Sequence, residues 1–338
     1  MSANSRARKL RYLVIGCGSI GRRHSHNLLQ LGVDTLLVYD QDKARTVALA
    51  QELGVQPCGS MEEAYAYKPD AVLICAPTSL HLPLAREALE HGCHIFMEKP
   101  LSNTLDGVSG FLDEVRSKQR VFLVGYNLRF DPLLQELQKS LAEDRIGRSV
   151  SARFHFGSYL PWRHPWEDYR LGYGARNNLG GGVILDAIHE IDCALWLFGR
   201  PELVFCVAGK YSDLDIDVED VGELLFSYAN HVVSIHLDYL QRPPRRWFEI
   251  IGTKGQIQGD LVSRTLRIYD GNMKEWTEYA PTCSLDEVYV LEMKHFLECV
   301  DGDRQPVVNG YVAAQSLQMA EAAKKSATTG LPVSLNAK

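Results

Sequence analysis

Gly16-Cys17-Gly18-Ser19-Ile20-Gly21 forms a G-x-G-x-x-G run directly after the apolar stretch 12–15. In that pattern Gly16 permits a tight turn and Gly18 lets the backbone approach a pyrophosphate. Gly21 lets the next helix lie close to a sheet, and the start of that helix, at Ser19 and Ile20, offers N–H donors to phosphates. Asp40 stands 19 positions after Gly21, at the end of Leu37-Val38-Tyr39. A carboxylate there hydrogen-bonds ribose hydroxyls and repels a 2′-phosphate, so NAD is expected as cofactor in preference to NADP. Lys43 and Arg45 soften that preference without reversing it.

Other residues have types suited to proton transfer. The run His94-Ile95-Phe96-Met97 continues as Glu98-Lys99-Pro100. A lysine at the end of a buried strand borders the ligand crevice of a parallel sheet, where partial desolvation suits it to polarise a hydroxyl or move a proton. A solvated surface lysine is the alternative. In Gly180-Gly181-Gly182-Val183-Ile184-Leu185-Asp186-Ala187-Ile188-His189-Glu190-Ile191-Asp192, His189 is the candidate acid/base, because imidazole titrates near neutrality. Helical spacing puts Asp186, three residues before it, on the same face. Asp192 either orients the imidazole or caps local structure.

The segment 154–176 is dense in aromatic residues and arginines, and Tyr159, Trp162 and Arg170 are candidate substrate contacts. Aromatic faces suit the C–H faces of sugars, and guanidinium forks suit carboxylate or phosphate. A packing loop or a subunit contact is the plainer reading. A second basic cluster is Gln241-Arg242-Pro243-Pro244-Arg245-Arg246-Trp247. His24 and His26 cannot share a metal ion, because positions i and i+2 of a helix point about 200° apart. No other His/Cys/Asp grouping has metal-ligand spacing in the chain, so no metal is expected.

The elements that must hold these residues follow from hydrophobic period. Short apolar runs at 12–15, 35–39, 71–75, 94–97 and 121–124 alternate with helical patterns at about 20–31, 42–53, 81–91 and 104–118. Buried strands with crossover helices imply a parallel sheet. Gly32, Gly54 and Gly92 fall where those helices should stop. After residue 145 the rhythm changes to strands at 149–156, 203–209, 221–228, 232–239, 248–251 and 266–269, with a hairpin connection at 252–255. Helices are expected at 183–198, 285–300 and 310–327. The fold class is α/β: a Rossmann domain over 1–127, then a substrate-binding and oligomerisation α+β domain over 128–338 with an open-faced, mostly antiparallel sheet. Val233, Ile235 and Leu237 in an alternating strand imply a sheet face that needs cover, hence a homodimer or homotetramer.

Composition narrows the class. With 338 residues, 46% hydrophobic and 23% charged, the chain suits about two globular domains. A net charge of -6 argues against nucleic-acid binding, and no apolar run is long enough to span a membrane. None of the eight cysteines makes a CxxC pair, which fits reduced thiols in the cytoplasm. The basic stretch at the N-terminus is followed by too short an apolar run for a signal peptide, and its first ten residues read as a frayed tail.

Gly16–Gly21, Ala76-Pro77-Thr78-Ser79-Leu80-His81, Glu98-Lys99-Pro100 and Gly180–Asp192 together resemble the Gfo/Idh/MocA oxidoreductases, the glucose–fructose oxidoreductase and inositol dehydrogenase group. The resemblance spans roughly residues 10 to 330. It implies an active site in the cleft between the domains, Lys99 as the catalytic or substrate-orienting lysine and a cis bond before Pro100. It also implies cofactor contacts from Ala76, Pro77, Thr78, His81, Glu98 and Lys99, with Thr78 and His81 near the nicotinamide and its ribose. The cluster Gln241–Trp247 together with Gly125-Tyr126-Asn127-Leu128-Arg129-Phe130 is similar to a branch met in sugar and nucleotide-sugar pathways, and Asn127 and Arg129 are counted with the substrate contacts. Many members place the aspartate four residues before the histidine, whereas Asp186 is three before His189, so its role as a direct ligand is open. The expectation is an NAD-linked oxidoreductase acting on a secondary alcohol or ketone of a sugar, cyclitol or nucleotide-sugar derivative. The alternative is a catalytically silent NAD-binding regulator or scaffold.

Overall fold

The computed structural model describes residues 10–335. The N-terminal tail up to residue 9 lies outside them, and Arg11 already opens the first strand. The first half of the chain runs β1 (Arg11–Ile15), α1 (Ser19–Gln30), β2 (Thr35–Tyr39), α2 (Lys43–Leu53), β3 (Gln56–Pro57), α3 (Met61–Ala66) and β4 (Ala71–Ile74). It continues as α4 (His81–Glu90), β5 (His94–Glu98), α5 (Val108–Ser117), β6 (Phe122–Gly125) and α6 (Pro132–Ala142). Then follow β7 (Ser149–Gly157), α7 (Leu160–Arg163), α8 (Val183–Asp186), α9 (Ile188–Phe198), β8 (Leu203–Gly209), β9 (Val221–Ser227) and β10 (Val232–Asp238). The chain closes with β11 (Arg245–Gly252), β12 (Gly255–Asp260), β13 (Thr265–Asp270), β14 (Glu275–Tyr279), α10 (Leu285–Val300), α11 (Gly310–Thr329) and β15 (Val333–Ser334).

Two compact units result. The first comprises the described residues up to Leu101 with Gly107–Gly125 and Tyr289–Gly310; the second holds Ser102–Asp106, Tyr126–Val288 and the described residues from Tyr311 onward. The sequence boundary at 127/128 lies beside the crossing at Gly125/Tyr126, but it assigned 289–310 to the second domain. Packing explains the difference. Met293 and Phe296 of α10 are fully buried in the core beside Leu73 and Phe96, with the two phenylalanine rings edge to face at 5.6 Å.

The first unit is a six-stranded parallel sheet in the order β3-β2-β1-β4-β5-β6. Its central strands are buried on both faces, as an apolar run without alternation requires. The reversal of strand order next to β1 makes a crevice at the carboxyl ends of β1 and β4, where such sheets bind ligands. Gly32, Gly54 and Gly92 all carry positive φ at helix ends, as their placement implied.

The second unit is a nine-stranded sheet, β14-β13-β12-β11-β7-β10-β9-β8-β15, antiparallel except for the parallel pair β7–β10. Strand alternation sorts its two faces. Phe154, Val233, Ile235, Leu237, Phe226 and Phe248 are buried on the face that α9 packs against. Val233, Ile235 and Leu237 therefore share one covered face, and the face left open is the other one, carrying Arg153, His155, Ser234, His236 and Trp247. The helix expected over 183–198 is two helices. Ala187 leaves helical geometry (φ -94°, ψ 32°), so Asp186 closes α8 while His189 sits in the first turn of α9.

Candidate active site

The glycine run folds as its spacing implies. Gly16 has φ +98°, and a Cβ there would lie 2.4 Å from the Cys75 carbonyl oxygen; a Cβ on Gly21 would lie 1.8 Å from the Gly16 oxygen. Above Gly18 there is open space, the nearest atom being Arg45 Nη1 at 3.8 Å from where a Cβ would stand. Gly18 is the N-cap of α1, no side chain caps that helix, and its first turn holds no acid. Open backbone over an uncapped, twelve-residue helix fits a pyrophosphate. Asp40 Oδ2 accepts the Cys17 N–H at 2.7 Å and Oδ1 accepts the Asp42 N–H at 2.8 Å, so the carboxylate is fixed beside the loop it would serve.

After β4, Thr78 is buried and begins a short turn that leads into α4. His81 is fully buried, with Nδ1 2.7 Å from the Pro100 carbonyl and Nε2 2.9 Å from the Ala76 carbonyl. Burial lowers its pKa, while two carbonyl acceptors favour the doubly protonated ring. Both ring nitrogens are thus spent on backbone. His81 ties the Ala76 turn to the Lys99–Pro100 turn. The Lys99–Pro100 bond is cis. Glu98 is buried, its Oε1 2.7 Å from His24 Nε2, and its Oε2 accepts the Lys99 N–H at 3.1 Å. Lys99 itself is half-buried, just past the end of β5.

In the second unit His189 is buried and packs edge to face on the fully buried Tyr126 ring at 5.7 Å. Asp186 accepts from Tyr173 Oη at 2.5 Å, Tyr239 Oη at 3.1 Å and the Arg163 guanidinium. The Arg163 guanidinium lies over the Phe156 and Tyr239 rings at 5.1 and 4.7 Å. Arg246 Nε donates to the buried Glu190 at 2.6 Å. Arg163, Tyr173, Tyr239, Glu190 and Arg246 were absent from the expected site; Arg163 and Tyr173 lie in the aromatic- and arginine-rich segment 154–176 and Arg246 in the basic cluster 241–247, but register alone decides that Arg163, Tyr173 and Tyr239 meet Asp186 while Arg246 meets Glu190.

The other expected residues have partners of their own. Arg129 gives Nε and Nη2 to Asp192 at 2.8 and 2.9 Å, with both side chains buried, and Ser316 Oγ donates to the same carboxylate at 2.9 Å. Arg129 thus forms an internal ion pair with Asp192. Asn127 is buried in the same turn. Arg170 is exposed and paired with Asp168 at 2.6 Å and with Asp215 at 3.8 Å. Trp162 is 59% exposed; with Tyr159 it makes an aromatic corner over which Arg242 sits, 3.5 Å above the Tyr159 ring. Finally, His155, His236 and Asp238 bring ligand atoms within 4.8 Å of one another. Local spacing conceals this grouping, because 81 residues separate the two histidines; the expectation of no metal-ligand grouping does not hold here.

Parallel strands in this order, with an uncapped helix over a glycine loop and an acid at the end of β2, define a dinucleotide-binding oxidoreductase fold. Residues 10–126 match the family described as "Oxidoreductase family, NAD-binding Rossmann fold", and residues 134–258 match the "GFO/IDH/MocA C-terminal domain". The chain belongs to the Gfo/Idh/MocA oxidoreductases, and NAD is the cofactor its first unit is built for. It is 28% identical to the scyllo-inositol 2-dehydrogenase (NAD(+)) of Bacillus subtilis, covering 98% of this chain and 97% of that one. It is also 28% identical to the myo-inositol 2-dehydrogenase of Thermotoga maritima, covering 94% and 96%. The WlbA dehydrogenase of Bordetella pertussis, solved with NADH and UDP-GlcNAcA, superposes with a TM-score of 0.83 at 24% identity, covering 98% and 100%. Among the described residues no helix is long and apolar enough to cross a membrane, and all eight cysteines are free thiols.

Proposed function

We propose that the protein is an NAD-dependent dehydrogenase of a secondary alcohol on a sugar, cyclitol or sugar derivative. The observation that carries this reading is Lys99 at the end of β5, its turn braced by Glu98 and by His81, in a chain that also presents a histidine at the start of α9. A protein that only bound NAD would need neither. NAD, held by the Gly16–Gly21 loop and Asp40, would supply the hydride acceptor for the substrate carbon, and NADH the donor in the reverse direction. His189 accepts the hydroxyl proton, and Lys99 donates to the same oxygen as negative charge develops there; for a ketone the roles reverse. Asp186, already accepting from Arg163 and two tyrosines, acts as a supporting acceptor for sugar hydroxyls. Tyr159 and Trp162 supply an aromatic platform.

The open face of the second sheet, with Val207 half-exposed and Leu225 and Trp276 partly so, supports a homodimer or homotetramer assembled through it. Free thiols, most of them buried, support a reducing, cytoplasmic setting. The test is a panel of inositols, pentoses, hexoses, uronic acids and nucleotide sugars, scored by NADH absorbance. Turnover of a polyol or sugar with NAD is expected. Tight NAD binding with no redox change across the panel would favour a silent binder instead.

A further inference from the structure

On the open face of the second sheet, far in sequence from the residues assigned to hydride transfer, four side chains converge on one point. β7 and β10 run parallel in register, so His155 sits beside His236 and Gly157 beside Asp238. Side chains two apart on a strand share a face, which makes these positions a two-by-two square. The imidazole rings stack at 4.5 Å with 15° between their planes, and His155 stacks in turn on Trp247 at 5.4 Å. His155 Nε2 is 2.6 Å from Gln241 Oε1, and His236 Nε2 is 2.9 Å from Asp238 Oδ2. The fourth corner is empty because it is a glycine. A Cβ on Gly157 would stand 2.3 Å from Gln241 Oε1 and 2.4 Å from Asp238 Oδ2.

We propose that His155, His236, Asp238 and Gln241 form a binding site for a divalent transition-metal ion of the zinc type. The ligand set is two imidazole nitrogens with a carboxylate and an amide oxygen, donors that suit zinc and its neighbours better than magnesium. The three stronger ligand atoms already lie within 4.8 Å of one another. A tetrahedral ion with bonds of about 2.1 Å needs them about 3.4 Å apart, so drawing the site in takes a shift of roughly an ångström.

The surroundings have the layout of an outer shell. His236 Nδ1 lies 2.5 Å from Glu223 Oε1, the carboxylate–histidine arrangement that fixes ring orientation and leaves Nε2 for a metal. Asp238 Oδ1 accepts the backbone N–H groups of Leu240 and Gln241 at 2.6 and 2.7 Å, so the loop holds one oxygen and Oδ2 remains as the ligand. The same two bonds carry Gln241 back over Gly157. Since Phe156 and Arg246 point to the opposite face, the ion would be structural, clamping β7, β10 and the 238–241 turn together. It is no part of the hydride chemistry.

The test is equilibrium dialysis of chelator-stripped full-length protein against Zn²⁺, with bound metal counted by elemental analysis and Mg²⁺ as comparison. One zinc per chain is expected, no retained magnesium, and a rise in melting temperature on zinc addition. X-ray absorption at the zinc edge should show two imidazole ligands. Glu223→Gln should weaken binding about 10–100-fold, the usual worth of an outer-shell partner. His155→Phe, which keeps the stack on Trp247, and Gly157→Ala should abolish stoichiometric binding. Gln241→Ala lies in a turn outside the strands and provides a variant whose fold is not at issue; it should weaken zinc without lowering the zinc-free melting temperature. Failure of the wild-type chain to retain zinc, or equal retention by His155→Phe and Gln241→Ala, would overturn the assignment.

Discussion

The buried pair of Arg129 and Asp192 makes a quantitative test of how α9 is held. Their side chains are 8% and 1% exposed, joined by two hydrogen bonds of 2.8 and 2.9 Å, with Ser316 as a third donor. Arg129→Met removes the cation and strands a carboxylate that water cannot reach, which costs about 3–5 kcal/mol. Against a total stability of roughly 5–15 kcal/mol that is a large fraction. At roughly 2–4 °C per kcal/mol for a domain of this size, the melting temperature should fall by about 6–20 °C. Asp192→Leu alone strands the guanidinium and should cost a similar amount. The double variant leaves no buried charge and should recover most of the loss, because apolar replacement of a whole buried pair is often neutral. Urea unfolding of wild type, both singles and the double gives the coupling energy directly. Additive losses, or a loss under about 1 kcal/mol for Arg129→Met, would refute the reasoning and return Arg129 to the substrate. Because Asp192 lies one turn beyond His189 on α9, the single variants should also slow turnover.

Asp40→Ala removes the acceptor for the Cys17 N–H and the charge facing a 2′-phosphate; titrations should show weaker NAD binding and a narrowed gap to NADPH. Gly21→Ala would drive a methyl into the Gly16 carbonyl, so NAD affinity measured by calorimetry should collapse or the protein should fail to fold. Glu292 is fully buried, both its oxygens lack a hydrogen-bond partner among the described residues, and burial with the nearby Glu98 charge pushes its pKa well above the usual 4.5. A raised folded pKa contributes stability that is fully present below the unfolded value and is lost as pH rises through the folded one. Glu292→Gln should therefore gain on wild type as pH rises above about 4.5, the two converging in acid; a pH-independent difference in melting temperature would refute this.

The first unit was legible because its signals are local. A buried strand, a glycine turn and an uncapped helix lie within twenty residues of each other, and 35–39 matches its strand end to end. What escaped was set by long-range packing or by weak pattern. β12, Gly255–Asp260, has two glycines and only one fully buried apolar side chain, and β14, Glu275–Tyr279, is an edge strand with four of five residues exposed. The α8–α9 break has no glycine or proline at Ala187 to announce it. In the site, Asp186 and His189 were visible by type, yet the partners of Asp186 come from three separate segments. Arg129 illustrates the limit: its place beside the junction suggested substrate, and only the tertiary position of Asp192 shows where the guanidinium is spent. The zinc-type square was hidden for the same reason, since two parallel strands distant in sequence supply it.

In the proposed mechanism Lys99 and His189 act on the reacting oxygen while NAD is held chiefly by the Gly16–Gly21 loop and Asp40. This mechanism is tested most directly by single-turnover hydride transfer, followed as NADH formation with a substrate found in the panel, in wild type, Lys99→Ala, His189→Ala and Asp186→Asn. The alanine variants should each lose about 10²–10⁴ in transfer rate, the usual worth of a positioned acid or base, with NAD affinity unchanged. Asp186→Asn should lose less. Near-wild-type transfer in both alanine variants would contradict the account, whatever became of the fold.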